Sequence, residues 1–141
     1  MAKQDTYLDH LGSIGLFSAL SRKELQRVAK ASDEVKVKAG HELARQGDVG
    51  REMFVLIDGE ATVKRNGRKI TTIGAGAAVG ELSLLDRGPR TATVTCETEC
   101  TVLVLGAREF SALLDDLPGV AHKVLSRLAA WVRDLDSKVY G

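Results

Sequence analysis

Val79-Gly80-Glu81-Leu82-Ser83-Leu84-Leu85-Asp86-Arg87-Gly88-Pro89-Arg90-Thr91-Ala92-Thr93-Val94 lies between a glycine-rich turn and a run of β-forming residues. Glycine followed by Glu and room for one helical turn leaves backbone N–H groups without partners at the start of that turn, which favours an anion. Gly88-Pro89 then reverses the chain, so that Arg90, read as opening the next strand, returns to the same spot. An anion there is met from two sides, because Arg supplies a planar fork of donors and Glu81 can accept from hydroxyl groups. An isolated Glu–Arg pair on a surface would contribute only about 0–1 kcal/mol, so the pair acquires meaning from the segments around it.

On both sides of this stretch, from Asp33 to Leu105, short β-rich runs are separated by Gly40, Gln46-Gly47-Asp48, Asp58-Gly59-Glu60, Asn66-Gly67 and Gly74-Ala75-Gly76. Turns at that spacing predict a compact antiparallel sandwich or barrel. The clearest hairpin joins Ala61–Lys64 to Lys69–Ile73 through Arg65-Asn66-Gly67-Arg68, since Asn-Gly accepts the positive φ of a tight reversal. Two more strands are expected at Thr91–Thr95 and Thr101–Leu105, around Cys96 and Cys100.

Helical signals flank the β region. Ser21 and Glu24 form a capping-box pattern, Leu20 can staple onto Leu25, and a short helix to about Ala31 follows. After Gly106, a helix over Arg108–Leu114 precedes a second one opening at Leu117-Pro118, where Pro is tolerated in the first turn. Along it Leu117, Ala121, Val124, Leu128, Trp131 and Leu135 are spaced 4, 3, 4, 3, 4. This heptad-like seam suits packing on the barrel or a subunit contact. The expected fold is mainly β with flanking helices. It is a single domain with a helical start at 8–31, an antiparallel, jelly-roll-like β-roll at 33–105, and C-terminal helices at 107–138.

Composition bounds the chemistry. The 141 residues match one ordinary domain, with 44% apolar and 28% charged residues. Lys and Arg number 20 against 19 Asp and Glu, so the net charge of +1 lacks the bias that nucleic-acid binding by this chain alone would require. The start has polar residues where a signal peptide needs an apolar core, and no run is long enough to span a membrane, so a cytoplasmic location is expected. Cys96 and Cys100 are too few for a disulfide framework or a four-ligand zinc site and read as reduced structural residues.

The stretch from Gly80 to Ala92 resembles the phosphate-binding cassette of the cyclic-nucleotide-binding domain family, found in the catabolite activator protein, protein kinase A regulatory subunits and nucleotide-gated channels. The resemblance extends over Leu11 to Leu135. Leu16-Phe17-Ser18-Ala19-Leu20-Ser21 is similar to the family's opening segment, and Gly47, Gly59 and Gly80 to its turn glycines. It implies a cyclic nucleotide as ligand, with no cofactor. Arg90 would pair with the cyclic phosphate and Glu81 accept the ribose 2′-hydroxyl. The backbone of Gly80, Leu82 and Ser83, with the Thr91 amide, would complete the cradle. Val79 departs from the aromatic residue that often precedes the Gly-Glu pair. Thr91 matches a position associated with cyclic GMP, while cyclic AMP is favoured as the commoner ligand of small bacterial-like members.

By the same resemblance Trp131 is a candidate lid over the purine, although its seam position also suits a core or an interface. Tyr140 is a second lid candidate. Leu84, with Phe110 or Leu113, is the candidate hinge contact through which ligand binding would move the C-terminal helices. The chain ends soon after its last helix, without room for a helix-turn-helix, and is expected to be a stand-alone sensor or a fragment.

Rival classes fare less well. A metal-dependent barrel enzyme needs clustered histidines, whereas His10, His41 and His122 are scattered, so neither catalytic nor metal residues are expected. Gly74-Ala75-Gly76-Ala77-Ala78-Val79-Gly80 misses the dinucleotide fingerprint by one residue and lacks a βαβ unit. The alternative that stays open is a barrel without ligand that forms a homodimer or docks a partner protein through the helix over 117–135.

Overall fold

The computed structural model describes residues 2–140, with side chains for residues 6–139. Helix α1 (Ala2–Ser13), a 3-10 turn at Gly15–Phe17 and helix α2 (Arg22–Ala31) precede the β region. The strands are β1 (Asp33–Val37), β2 (Glu42–Ala44), β3 (Glu52–Asp58), β4 (Ala61–Arg65), β5 (Arg68–Ile73), β6 (Ala78–Val79), β7 (Thr93–Cys96) and β8 (Cys100–Gly106). A second 3-10 turn, Glu81–Leu84, lies between β6 and β7, and helices α3 (Ala107–Asp116) and α4 (Pro118–Tyr140) follow.

The strands form two antiparallel four-stranded sheets, in the orders β1-β8-β3-β6 and β2-β7-β4-β5. This is the expected jelly-roll-like arrangement. The central strands of the first sheet, β3 and β8, are buried on both faces. Met53, Val55, Leu103 and Leu105 meet the helices in one apolar cluster with Leu11, Phe17 and Phe110. Leu56, Cys100 and Val102 face the roll interior with Leu43, Ala61, Val79 and Val94. Two-sided burial explains why β3 and β8 read as unbroken apolar runs, while β5 is exposed along most of its length.

Local signals set several element ends. Ser21 Oγ accepts from the Glu24 amide at 3.2 Å while Glu24 Oε1 accepts from the Ser21 amide at 2.8 Å. Lys123 of α4 donates to the same Glu24 oxygen at 2.6 Å, tying α2 to α4. That contact and the cap hold the Glu24 carboxyl below its ordinary pKa. In the β4–β5 hairpin, Asn66 and Gly67 both have positive φ, 53° and 77°, as a two-residue reversal requires. The strands therefore reach Arg65 and Arg68, one residue closer to the turn than expected on each side.

Other boundaries also differ from expectation. Strand β7 begins at Thr93, because the Arg90 backbone pairs with the loop at 47–48 instead of a sheet ladder: Arg90 N–H donates to the Asp48 carbonyl at 2.7 Å and the Arg90 carbonyl accepts from Gly47 at 2.9 Å. The N-terminal helical region begins well before residue 8 and contains two helices, with Leu8 and Leu11 of α1 buried in the helix-facing core. Helix α4 continues to Tyr140, whose side chain falls outside the described residues. Cys96 and Cys100 are free and buried, and burial with the adjacent Cys100 pushes the Cys96 thiol up to about 12. No helix among the described residues is long and apolar enough to cross a membrane.

Candidate functional site: a cavity beside the Gly80 turn

A cavity of about 580 Å³ opens into the roll. Gly80, Glu81, Leu82, Ser83, Arg90 and Thr91, all singled out in the sequence, line it together. Its apolar wall comes from Ala44, Val63, Ile73, Ala78, Val79 and Val94, and Arg65 also reaches it. Both its volume and its mixture of apolar wall with a few polar groups are those of a small-molecule site.

Gly80 has φ 75° and precedes the 3-10 turn. A side chain there would be strained, and its Cβ would overlap Arg90 Nη1. Glycine thus lets the backbone and the guanidinium meet. Arg90 is only 8% exposed. Its Nη1 donates to Ser83 Oγ at 3.1 Å and its Nη2 to Glu52 Oε1 at 3.3 Å, with Cζ 5.7 Å from the centre of the Phe54 ring. A buried cation needs such partners, and here they also fix its fork at the edge of the cavity.

Glu81 contributes the complementary group. The backbone N–H of Leu16, in the first 3-10 turn, lies near its carboxylate. Oε2 is buried without a hydrogen-bond partner among the described residues. Burial raises the Glu81 pKa above its ordinary value, and the Leu16 amide opposes this. A carboxylate and a buried arginine lining one cavity are suited to a molecule carrying both a hydroxyl donor and an anion.

One expected cradle contact is assembled differently. The Ser83 amide is taken by the Gly80 carbonyl at 3.0 Å to close the 3-10 turn, and it is the Ser83 hydroxyl that meets Arg90. Leu82 lines the cavity and is 52% exposed. Thr91 is exposed at the cavity edge, where its carbonyl accepts from Arg65 Nε at 3.0 Å. Trp131 lies outside the cavity lining and packs against Gly15, where an added Cβ would collide with the indole. Leu84, Phe110 and Leu113 do share one apolar cluster, with Phe110 5.7 Å from Phe17 by ring centres.

Sequence reasoning missed Glu52, Arg65 and the apolar wall. Alternation along β4 places Ala61, Val63 and Arg65 on one face and was the available signal for Arg65. Glu52 offered none, because its pairing with Arg90 depends on loops that bring distant segments together.

Comparison with known proteins agrees with this geometry. Residues 34–116 match the model of the cyclic nucleotide-binding domain, and the chain belongs to that family. It is 32% identical over 114 residues to a cyclic nucleotide-gated potassium channel of Rhizobium etli, covering 81% of this chain and 32% of the channel. It is 31% identical over 124 residues to a cAMP-dependent protein kinase regulatory subunit of Neurospora crassa, covering 86% and 32%. The chain therefore spans about a third of the length of each of these relatives. Among solved structures, the N-terminal domain of a transcriptional regulator from Streptomyces coelicolor superposes with a TM-score of 0.84 at 32% identity, over 92% of this chain and 94% of that one. The regulatory domain of Toxoplasma gondii protein kinase A, solved with cAMP, gives 0.72 at 34% identity, over 82% and 46%.

Proposed function

We propose that this domain is a non-catalytic receiver for a 3′,5′-cyclic nucleotide, with cyclic AMP favoured over cyclic GMP. The observation that carries the reading is that Gly80, Glu81, Ser83 and the buried Arg90 line one cavity with an apolar wall. Arg90 takes the cyclic phosphate, and Glu81 takes the ribose hydroxyl. The cAMP bound by the Toxoplasma domain supports the preference for cyclic AMP. Thr91 supplies a hydroxyl near the base, which keeps cyclic GMP as the competing ligand.

Signal leaves the site by two routes. Leu84 of the second 3-10 turn abuts Phe110 and Leu113 of α3 in the helix-facing core. Glu81 lies near the Leu16 amide, and the adjoining Gly15 packs against Trp131 of α4. A ligand that changes the position of Glu81 or Leu84 therefore acts on α4, provided that it binds the two arrangements with different affinity.

A thermal-melt series with cyclic AMP, cyclic GMP and linear 5′-AMP tests the reading. At 100 times its dissociation constant a cyclic nucleotide adds about 2.7 kcal/mol of stability, or roughly 10 °C in melting temperature. Arg90→Ala is expected to weaken binding by about 1.5–3 kcal/mol. Absence of any shift with either cyclic nucleotide at millimolar concentration refutes it.

A second property, self-association, is favoured by the exposed side of α4. Leu125, Val132, Leu135 and Val139 are 64%, 64%, 61% and 71% exposed. With the half-buried Leu128 they repeat at 3, 4, 3, 4, a coiled-coil seam for a second copy of this helix.

A further inference from the structure

We propose that Arg65 is a specificity-determining residue of the cavity, a planar cation on which a purine base stacks. This rests on the cyclic-nucleotide reading above. Arg65 ends β4 on the face shared by Ala61, which is buried in the roll interior, and Val63, which lines the cavity with it. The sheet's two-residue period thus delivers a guanidinium to an otherwise apolar wall.

The residue is held in place. Its Nε donates to the Thr91 carbonyl at 3.0 Å, one residue beyond the buried Arg90. The hairpin tip that carries it is clamped to the Gln46 loop: Gln46 Nε2 donates to Asn66 Oδ1 at 2.8 Å, and the Asn66 amide donates to Gln46 Oε1 at 2.8 Å. The Gln46 amide in turn donates to Thr93 Oγ1 at 2.9 Å, on β7. Because the Nε–H bond lies in the guanidinium plane, it fixes one edge and leaves the two faces for contact.

The division of labour in the cavity assigns the ligand part. Arg90, Ser83 and Glu81 form the polar group around the Gly80 turn, and Arg90 is committed there by Ser83 and Glu52. Ala44, Val63, Ile73 and Val94 form the wall left for the base. A heteroaromatic ring lying on that wall meets Arg65 as its flat, charged neighbour. Guanidinium planes stack on nucleobases, and a larger ring system gains more.

Calorimetric titration of the whole chain with cyclic AMP, cyclic GMP and cyclic CMP tests this, using wild type, Arg65→Ala and Arg65→Lys. Arg65→Ala should weaken the two purine ligands by about 5- to 30-fold and cyclic CMP by less, narrowing the purine preference. Arg65→Lys should fail to restore it, since Lys lacks the planar fork. Melting temperatures of both variants near that of wild type show that the fold is retained. Equal losses for purine and pyrimidine, full rescue by Lys, or unchanged affinities in Arg65→Ala would each overturn the proposal while leaving the cyclic-nucleotide reading intact. Failure of the wild type to bind any of the three would instead remove that reading, and this one with it.

Discussion

Glu81 lines the cavity and is a carboxyl whose ionisation burial opposes. With its folded pKa raised above the ordinary 4.5, it binds more protons folded than unfolded in the interval between the two values. Its contribution to stability is present at low pH and lost as the pH rises through the raised value. A ribose hydroxyl donating to the carboxylate favours the ionised form, so binding is linked to proton release. Affinity for cyclic AMP should therefore rise as the pH climbs from the ordinary carboxylate range to neutrality. Glu81→Gln should flatten that rise and cost about 10- to 100-fold at pH 7. Titrations across pH check this, and an unchanged slope in the variant would contradict it. At this scale Arg90 and Glu81 were legible because their types and the glycine before them are local. The Glu52 partner and the Leu16 amide were not, since they reach the site through contacts remote in sequence.

Helix α4 joins the site to the rest of the chain through one large side chain. Trp131 packs on Gly15, next in sequence to the Leu16 whose amide lies near Glu81, so the environment of the indole reports on the first 3-10 turn. Saturating cyclic AMP is expected to move α4 off this turn. The emission of Trp131, the single tryptophan, should shift red by a few nanometres and its quenching by iodide should increase. Gly15→Val, which wedges a side chain under the indole, should give a similar shift without ligand. Emission and quenching that ignore the ligand would exclude movement at this contact. Helix starts and the hairpin turn were readable from Ser21, Glu24, Asn66 and Gly67 because caps and turns are satisfied within a few residues. The start of β7 was not, because the 47–48 loop captures the Arg90 backbone.

For the molecule as a whole, the decisive question is which stripe of α4 remains open. Of the heptad seam expected in the sequence, Val124, 2% exposed, and Trp131 lie on the core side, whereas its last member, Leu135, faces outward with Leu125, Val132 and Val139. The chain should dimerise through that outer stripe at micromolar concentration. Leu135→Glu should shift sedimentation toward monomer with a stability change within about 0.5 kcal/mol, since the residue is exposed. Wild type that stays monomeric at hundreds of micromolar would dismiss the seam. By itself the sequence determined the layout of a helical start, a β-roll and two C-terminal helices, with the main turns and caps, because those rest on propensities, caps and periodicities that act over a few residues; the cassette from Gly80 to Ala92 was legible through its resemblance to a family. Tertiary structure alone decided that Arg65 faces the cavity, that Glu52 backs Arg90, that Trp131 sits on Gly15, and which stripe of α4 stays exposed. A strand or helix has more than one apolar face, and packing against segments distant in the chain selects the one that is buried.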